Sequence, residues 1–176
     1  MKIIIAGDLF ISESFINKVV IDKSIQDLFA LADIRIVNLG APITVANRKN
    51  RIIKTGSYLY NCEEAVVPIL NCLKINLVTL ANNHILDYGS KGIADTLEVL
   101  KDNNMSYVGA GKNIADASKF YSFEKGHVKV AILNFAENEW SIADQRRAGA
   151  NPLDIIENVR QIQLAKTSHD KVICII

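Results

Sequence analysis

The stretch Ala81-Asn82-Asn83-His84-Ile85-Leu86-Asp87-Tyr88-Gly89 lies between two sequence patterns of different period. Residues 76–80, which precede it, form a short apolar and β-branched run that is typical of a buried strand. After it, apolar residues recur at helical spacing as far as Leu100. The polar cluster is therefore predicted to lie on a strand-to-helix turn.

The position of this turn favours a chemical role for its polar side chains. In open α/β sheets, ligands bind at the carboxyl ends of the strands, where groups from several strands meet at one edge. The turn brings two amides, an imidazole and a carboxylate to such an edge: Asn82, Asn83, His84 and Asp87. The alternative is that the Asn and Asp side chains only cap the turn through bonds to nearby backbone.

Length and composition indicate a single globular domain over residues 1–176. Apolar residues make up 49% of the chain and charged residues 22%, while the formal net charge is +1. A net charge this small produces no broad electrostatic field that would attract nucleic acid or an anionic membrane surface. We therefore expect no nucleic-acid partner. The first apolar run stops at Gly7-Asp8 and is too short for a signal peptide or a membrane span. We therefore expect a cytoplasmic protein.

Strand and helix patterns alternate along the chain, which predicts an α/β fold with a mostly parallel sheet. The first and last strands, rich in Ile and Val, are expected to be buried. Two strands joined at Lys125-Gly126 are expected to pair antiparallel. The predicted strands are residues 2–6, 34–39, 76–80, 105–109, 120–124, 128–135 and 171–176, and the predicted helices start at about residues 12, 61, 90 and 152.

Four side chains fall at or just after predicted strand ends: Asp8, Asn38, Asn83 and His84. Parallel strands would bring them together at one edge of the sheet. Carboxylate and carbonyl oxygens suit hard divalent cations, while imidazole suits Mn, Fe or Zn. The set could therefore hold a divalent metal whose identity stays open, with His84 passing a proton to a leaving group.

Two polar segments are expected at the surface. Residues 44–54 are basic and are interpreted as an exposed loop, with a phosphate clamp as the alternative. Residues 137–140 follow a predicted strand and could overlook a site, but an acidic surface loop is the preferred interpretation.

Several motifs occur together and in order along most of the chain: Gly7-Asp8, Asn38-Leu39-Gly40-Ala41-Pro42, residues 81–89 with Gly92 and Thr96-Leu97, and Val108-Gly109-Ala110-Gly111. In these motifs the chain resembles the bacterial capsule-synthesis family associated with poly-γ-glutamate. The fold of that family is similar to that of calcineurin-type metallophosphoesterases. The resemblance implies a two-sheet α/β/β/α sandwich.

The resemblance also implies roles for individual residues. Asp8 matches a metal-binding aspartate, Asn83 the metal-binding asparagine and His84 the adjacent catalytic histidine. Asp87 matches an aspartate with a structural role. The family usually has Asn-Leu-Glu-x-Pro where this chain has Gly40 in place of the glutamate. The family also continues past the strand that matches residues 171–176 into further histidine motifs, so we expect the amino-terminal portion of a longer domain, truncated at its carboxyl end.

Two functions follow from these observations. The first is a metal-dependent, phosphoesterase-like hydrolase acting on a phosphoester or a polyglutamate-related substrate. The second is a non-catalytic binding or assembly component that keeps the fold without a complete metal site. A nucleotide-binding Rossmann domain would need a glycine-rich turn after the first strand, and Gly7-Asp8-Leu9-Phe10 does not provide one. We also expect an exposed final sheet edge to favour a homo-oligomer.

Overall fold

The computed structural model describes residues 1–176 and contains nine β-strands and five α-helices. The strands are β1 (Ile3–Leu9), β2 (Ile34–Leu39), β3 (Leu77–Thr79), β4 (Ser106–Val108), β5 (Ala110–Gly111), β6 (Tyr121–Lys125), β7 (Val128–Asn134), β8 (Gly149–Ala150) and β9 (Lys171–Ile175). The helices are α1 (Lys23–Ala30), α2 (Glu63–Cys72), α3 (Gly89–Asp102), α4 (Ile114–Ala117) and α5 (Ile155–Lys166).

The strands form two main sheets and one short ladder. The first sheet is parallel throughout, in the order β1-β2-β3-β4. The second has the order β6-β7-β9, in which β6 and β7 are antiparallel and β7 and β9 are parallel. The predicted hairpin at Lys125-Gly126 is therefore confirmed. Strands β5 and β8 pair antiparallel with each other.

Alternating side chains pack the two sheets face to face. Ile36 of β2 lies in a cluster with Val130 and Ile132 of β7, whereas its neighbour Val37 belongs to the core on the opposite side of the first sheet. That outer core includes Phe29 of α1 and residues of α2 and α3. On the far side of the second sheet, β7 packs against α5. The layers are α/β/β/α, which confirms the expected two-sheet sandwich of the calcineurin-like type.

Two expectations about the ends of the sheets are wrong. Strands β1 and β9 were expected to be buried, but both lie at the edge of their sheets. Ile5 is 49% exposed as a result, and Cys174 is also exposed. A run of apolar residues reports β-propensity and hydrophobicity, but it cannot distinguish an edge strand from a central one. β1 also extends to Leu9, so Asp8 lies inside the strand, just past an irregularity in its register.

The helix expected from about residue 12 begins only at Lys23. Residues 13–15 form a short 3₁₀ turn, and Asn17 has φ = 56°, a left-handed conformation that no α-helix contains. The Asp22 side chain then accepts a hydrogen bond from the backbone N–H of Ser24 at 2.8 Å and caps α1. Similarly, α5 begins after its N-cap Asp154 and not at Pro152. None of the helices combines the length and apolarity needed to cross a bilayer.

Gly109 allows the two sheets to meet behind the predicted polar turn. It follows β4 with φ = 96°, and a Cβ at this position would lie 2.1 Å from Asn134 Oδ1. That oxygen accepts a hydrogen bond from the backbone N–H of Ala81 at 2.6 Å. Asn134, at the end of β7, thus holds the first residue of the turn only because residue 109 has no side chain.

We expect Gly109→Ala to lower the free energy of unfolding by about 2–5 kcal/mol. Left-handed strain of about 1–2 kcal/mol adds to overpacking of about 1–3 kcal/mol against Asn134 and Ala81. The measurement is urea denaturation followed by circular dichroism. Gly126→Ala is the matched control, because Gly126 has φ = 64° but a Cβ added there would meet no atom within 4 Å. Equal losses in the two variants would contradict the packing argument.

Candidate active site at the strand ends

A row of hydrogen-bonded side chains crosses the carboxyl ends of the first three strands. Asp8, Asn38 and Thr79 are register partners on β1, β2 and β3. Asn38 Nδ2 donates to Asp8 Oδ1 at 2.6 Å, and Thr79 Oγ1 donates to Asn38 Oδ1 at 3.1 Å. The expected approach of Asp8 and Asn38 is therefore observed. Both ends of the Asn38 carboxamide already have partners, so its first role here is to orient Asp8.

The two asparagines of the turn have different environments. Asn82 Nδ2 donates to the carbonyl of Leu39 at 2.8 Å, and its Oδ1 accepts from the backbone N–H of His84 at 3.0 Å. Asn82 therefore fixes the turn beside the end of β2, as the capping alternative expects. The Asn83 side chain is exposed and makes no hydrogen bond within the protein, which leaves its carboxamide oxygen available to a ligand.

His84 is held by a buried carboxylate. Asp87 is fully buried, and its Oδ2 lies 2.8 Å from His84 Nδ1 and accepts from the backbone N–H of Leu59, also at 2.8 Å. An ionised carboxylate only accepts hydrogen bonds, so Nδ1 carries the proton in this contact. The other ring nitrogen, Nε2, has no partner within the protein. The His84 side chain is 23% exposed, so solvent and ligands can reach the ring.

Lys54 also reaches this carboxylate, although its segment was expected to be solvated. Its side chain is only 1% exposed, and Nζ forms an ion pair with Asp87 Oδ1 and lies 3.3 Å from His84 Nδ1. The exposed-loop interpretation is confirmed for Arg48 and Lys49 but is wrong for Lys54. A loop has no period, so nothing in the sequence distinguishes the one lysine that points inwards.

Trp140 reaches the same turn from the other sheet. Residues 137–139, after β7, are exposed as expected, but Trp140 is partly buried and Nε1 donates to the Asn83 carbonyl at 2.8 Å. The surface-loop interpretation is therefore wrong for this residue. Thr79 was missed as well, and the strand-end rule that selected Asn38 could have found it.

Position 40 lies directly beside Asp8. A Cβ on Gly40 would lie 3.6 Å from Asp8 Cβ and 3.7 Å from Asp8 Cγ, which is ordinary van der Waals contact. A Cβ is accommodated there without a clash, so the glycine is not required by lack of space next to the carboxylate. No group of three or more His, Cys, Asp or Glu side chains is placed to hold a metal ion. The oxygens of Asp8 and Asn83 suit a divalent cation, but they provide only one negative charge.

A parallel sheet with polar side chains at its carboxyl ends, packed on a second sheet between helical layers, is the arrangement of the calcineurin-like metallophosphoesterase class of fold. Residues 2–176 match the family model described as "Bacterial capsule synthesis protein PGA_cap". The chain belongs to this family.

Curated relatives carry names that refer to capsule synthesis. The chain is 29% identical over 131 residues to the capsule biosynthesis protein CapA of Bacillus anthracis, covering 73% of this chain and 32% of that protein. It is 29% identical over 152 residues to the PGA biosynthesis protein CapA of Bacillus subtilis, covering 85% of this chain and 40% of that protein. The chain thus spans well under half the length of these relatives.

A solved structure supports the fold. The NAD nucleotidase NadN of Haemophilus influenzae superposes with a TM-score of 0.51 over 86% of this chain and 26% of that chain. The sequence identity is 14%, so the likeness concerns the fold alone.

We expect Asp87→Asn to lower the free energy of unfolding by about 3–5 kcal/mol, because it leaves the Lys54 ammonium buried without its counter-charge. Asp27→Asn is the control, since the Lys23–Asp27 pair is exposed at 78% and 62% and contributes little. Urea denaturation of both variants measures the difference. A loss for Asp87→Asn no larger than that for Asp27→Asn would show that the buried pair does not stabilise the fold.

Proposed function

We propose that this domain is a metal-dependent, phosphoesterase-like hydrolase that works in capsule synthesis, with His84 as its catalytic residue. One observation carries the proposal: His84 is fixed at Nδ1 by the buried Asp87 carboxylate and free at Nε2. A histidine oriented by a carboxylate and open at its second nitrogen is suited to proton transfer. Its turn contacts the end of β2 through Asn82, and β2 pairs with the strand that carries Asp8.

The proposed reaction is hydrolysis of a phosphoester. A water oxygen forms a bond to phosphorus, and the bond from phosphorus to the leaving oxygen breaks with its electron pair remaining on that oxygen. Nε2 of the neutral ring first takes a proton from solvent and then gives it to the leaving oxygen, while the attacking water loses a proton to solvent, so the ring returns to the neutral form with its proton on Nδ1. Asp87 stabilises the positive charge while the ring carries the second proton.

Asp8 and Asn83 are the residues that would hold a divalent metal, with Asn38 orienting Asp8 and keeping one lone pair on Oδ1 for the same purpose. Mn, Fe or Zn would suit a set of oxygens beside an imidazole. Such an ion, when bound, supplies a Lewis acid and lowers the pKa of bound water. With Gly40 at the neighbouring position, we expect the ion to be held weakly.

Family membership supports a proposal for the substrate class. Membership of a capsule-synthesis family and the name "PGA biosynthesis protein" of the Bacillus subtilis relative support a polyglutamate-related substrate, with another phosphoester as the alternative. Because the chain spans only 40% of that relative, other parts of such a protein could select the substrate.

A second candidate function is a binding or assembly component without catalysis. Two observations favour it: the glycine at position 40 and the lack of any group of three metal-ligating side chains. This candidate predicts neither a stoichiometric metal site nor turnover.

Metal binding and turnover distinguish the two candidates. We expect Gly40→Glu to bind Mn²⁺ at least about tenfold more tightly than the unchanged protein in calorimetry, because a second carboxylate adds charge to the ligand set. The gain should disappear in the double variant Gly40→Glu/Asp8→Asn if both carboxylates hold the same ion. Zn²⁺ is titrated in parallel to compare the two metals.

His84→Ala should lower the rate of Mn²⁺-dependent hydrolysis of bis(p-nitrophenyl) phosphate by about 10²–10⁴-fold. His127→Ala, in the exposed turn between β6 and β7, is the matched control and should leave the rate unchanged. No turnover in the unchanged protein or in Gly40→Glu, together with no metal binding, would reject the hydrolase in favour of the binding component.

A further inference from the structure

Lys54 is an unusual lysine because its charged end is enclosed. Fully buried lysines are rare unless they are paired, and this side chain is 1% exposed. Its Nζ lies 5.3 Å from the ring centroids of both Tyr58 and Trp140, which form aromatic walls around the ammonium. A solvated ammonium needs no such enclosure. The burial of the Lys54 ammonium therefore indicates that it acts within the site.

The ammonium has one charged partner, and that partner is the group that holds His84. Lys54 Nζ pairs with Oδ1 of Asp87, while Oδ2 accepts from Leu59 N–H and faces His84 Nδ1. Both carboxylate oxygens thus have donors: Oδ1 has the ammonium, and Oδ2 has the backbone N–H of Leu59 and the imidazole. The carboxylate cannot rotate without losing one of these contacts, so its orientation relative to the imidazole is fixed.

The two distances to His84 Nδ1 determine which partner receives its hydrogen bond. Asp87 Oδ2 is 2.8 Å away and can only accept, whereas Lys54 Nζ is 3.3 Å away and can only donate. The shorter contact requires a proton on Nδ1, which leaves the lone pair of a neutral ring on Nε2. Without the ammonium, the buried carboxylate would lack a counter-charge. It would also lose the contact that fixes Oδ1, and with it the orientation that holds Oδ2 against Nδ1 and so selects this tautomer.

Trp140 connects this cluster to the second half of the site. Its ring encloses Lys54, and its Nε1 donates to the carbonyl of Asn83, the residue before His84. The lysine therefore lies between Asp87, which holds the His84 ring, and Trp140, which holds the Asn83 backbone from the second sheet.

From these contacts we propose that Lys54 is a positioning residue for His84: its buried ammonium fixes the Asp87 carboxylate so that the imidazole keeps its proton on Nδ1 and presents Nε2 to the ligand. Lys54 itself does not touch the substrate. The effect on turnover rests on the proposed hydrolase function, whereas the effect on the tautomer does not.

Imidazole nitrogen NMR tests the proposal without any turnover. In long-range ¹H–¹⁵N correlation spectra of the metal-free protein, His84 is assigned as the pattern that is lost in His84→Gln. We expect the unchanged protein to show protonated Nδ1, unprotonated Nε2 and a downfield Nδ1–H resonance protected by Asp87. A His84 ring protonated mainly on Nε2 would overturn the proposal at once.

Substitutions then test the lysine. Lys54→Met, of similar length but neutral, should lose the downfield proton and show mixed tautomers, whereas Lys54→Arg should recover the proton at least in part. Lys49→Met removes an exposed lysine from the same segment and should leave the spectrum unchanged. A Lys54→Met spectrum like that of Lys49→Met, or no recovery in Lys54→Arg, would overturn the proposal. If Lys54→Met does not fold, Lys54→Gln serves as the neutral variant with the same criteria.

Kinetics distinguish failure of this inference from failure of the proposed function. If the protein hydrolyses bis(p-nitrophenyl) phosphate, Lys54→Met should lower kcat by about 10–100-fold, as loss of a supporting contact does, with KM within about twofold of the unchanged value. A rise in KM of the same size as this expected fall in kcat, with kcat itself unchanged, would contradict positioning of the proton-transfer group. If neither the unchanged protein nor Gly40→Glu shows turnover or metal binding, the hydrolase is rejected, and the NMR result then decides the role of Lys54 alone.

Discussion

The Asp87 carboxylate imposes the constraint on which the site and its surroundings depend. It is completely buried just before α3, and a buried charge must be met by donors from the protein. There are three donors: the ammonium of Lys54 and the backbone N–H of Leu59, both from one loop, and the imidazole of His84. These contacts tie the loop between β2 and α2 to the strand-to-helix turn. Most of this loop has no regular structure. The same contacts set the orientation of the histidine, so the packing of the loop and the chemistry of the turn share one cause.

The turn is also held from the second sheet. Asn134 at the end of β7 accepts the N–H of Ala81, and Trp140, further along the same connection, donates to the carbonyl of Asn83. Both contacts require the two sheets to be packed as they are, and the first requires a glycine at position 109. The turn that carries His84 and Asp87 is therefore held from both sheets, although both residues belong to the first half of the chain. A sheet of four parallel strands alone would leave the turn with far fewer contacts.

The sequence predicts those parts of the structure that depend on local pattern. Strand β2 was predicted with its observed bounds, and the hairpin of β6 and β7 and the placing of Asp8 beside Asn38 follow from period and from the rule for strand ends. What it misses depends on distant partners. The exposure of β1 results from its place in the order of the sheet, and the burial of Lys54 results from a carboxylate 33 residues away. Neither the exposure of β1 nor the burial of Lys54 changes the local sequence pattern, so no rule based on neighbouring residues could have predicted them.

The two sides of the site differ in how completely their side chains are supported, and this difference bears on function. Replacing a buried ion pair by apolar residues often costs nothing and can even stabilise a protein, so stability alone is a weak reason for a buried lysine, aspartate and histidine in contact. Their arrangement is better explained by what it does to His84, whose orientation it fixes. The opposite side of the site is less complete, because Gly40 leaves Asp8 without a second carboxylate at a position that would accommodate a Cβ. The groups proposed to transfer a proton are therefore in place, while those that would hold a metal ion are short of charge. If the domain is the hydrolase proposed above, metal affinity, and not the geometry of the histidine, is the property that limits its catalysis.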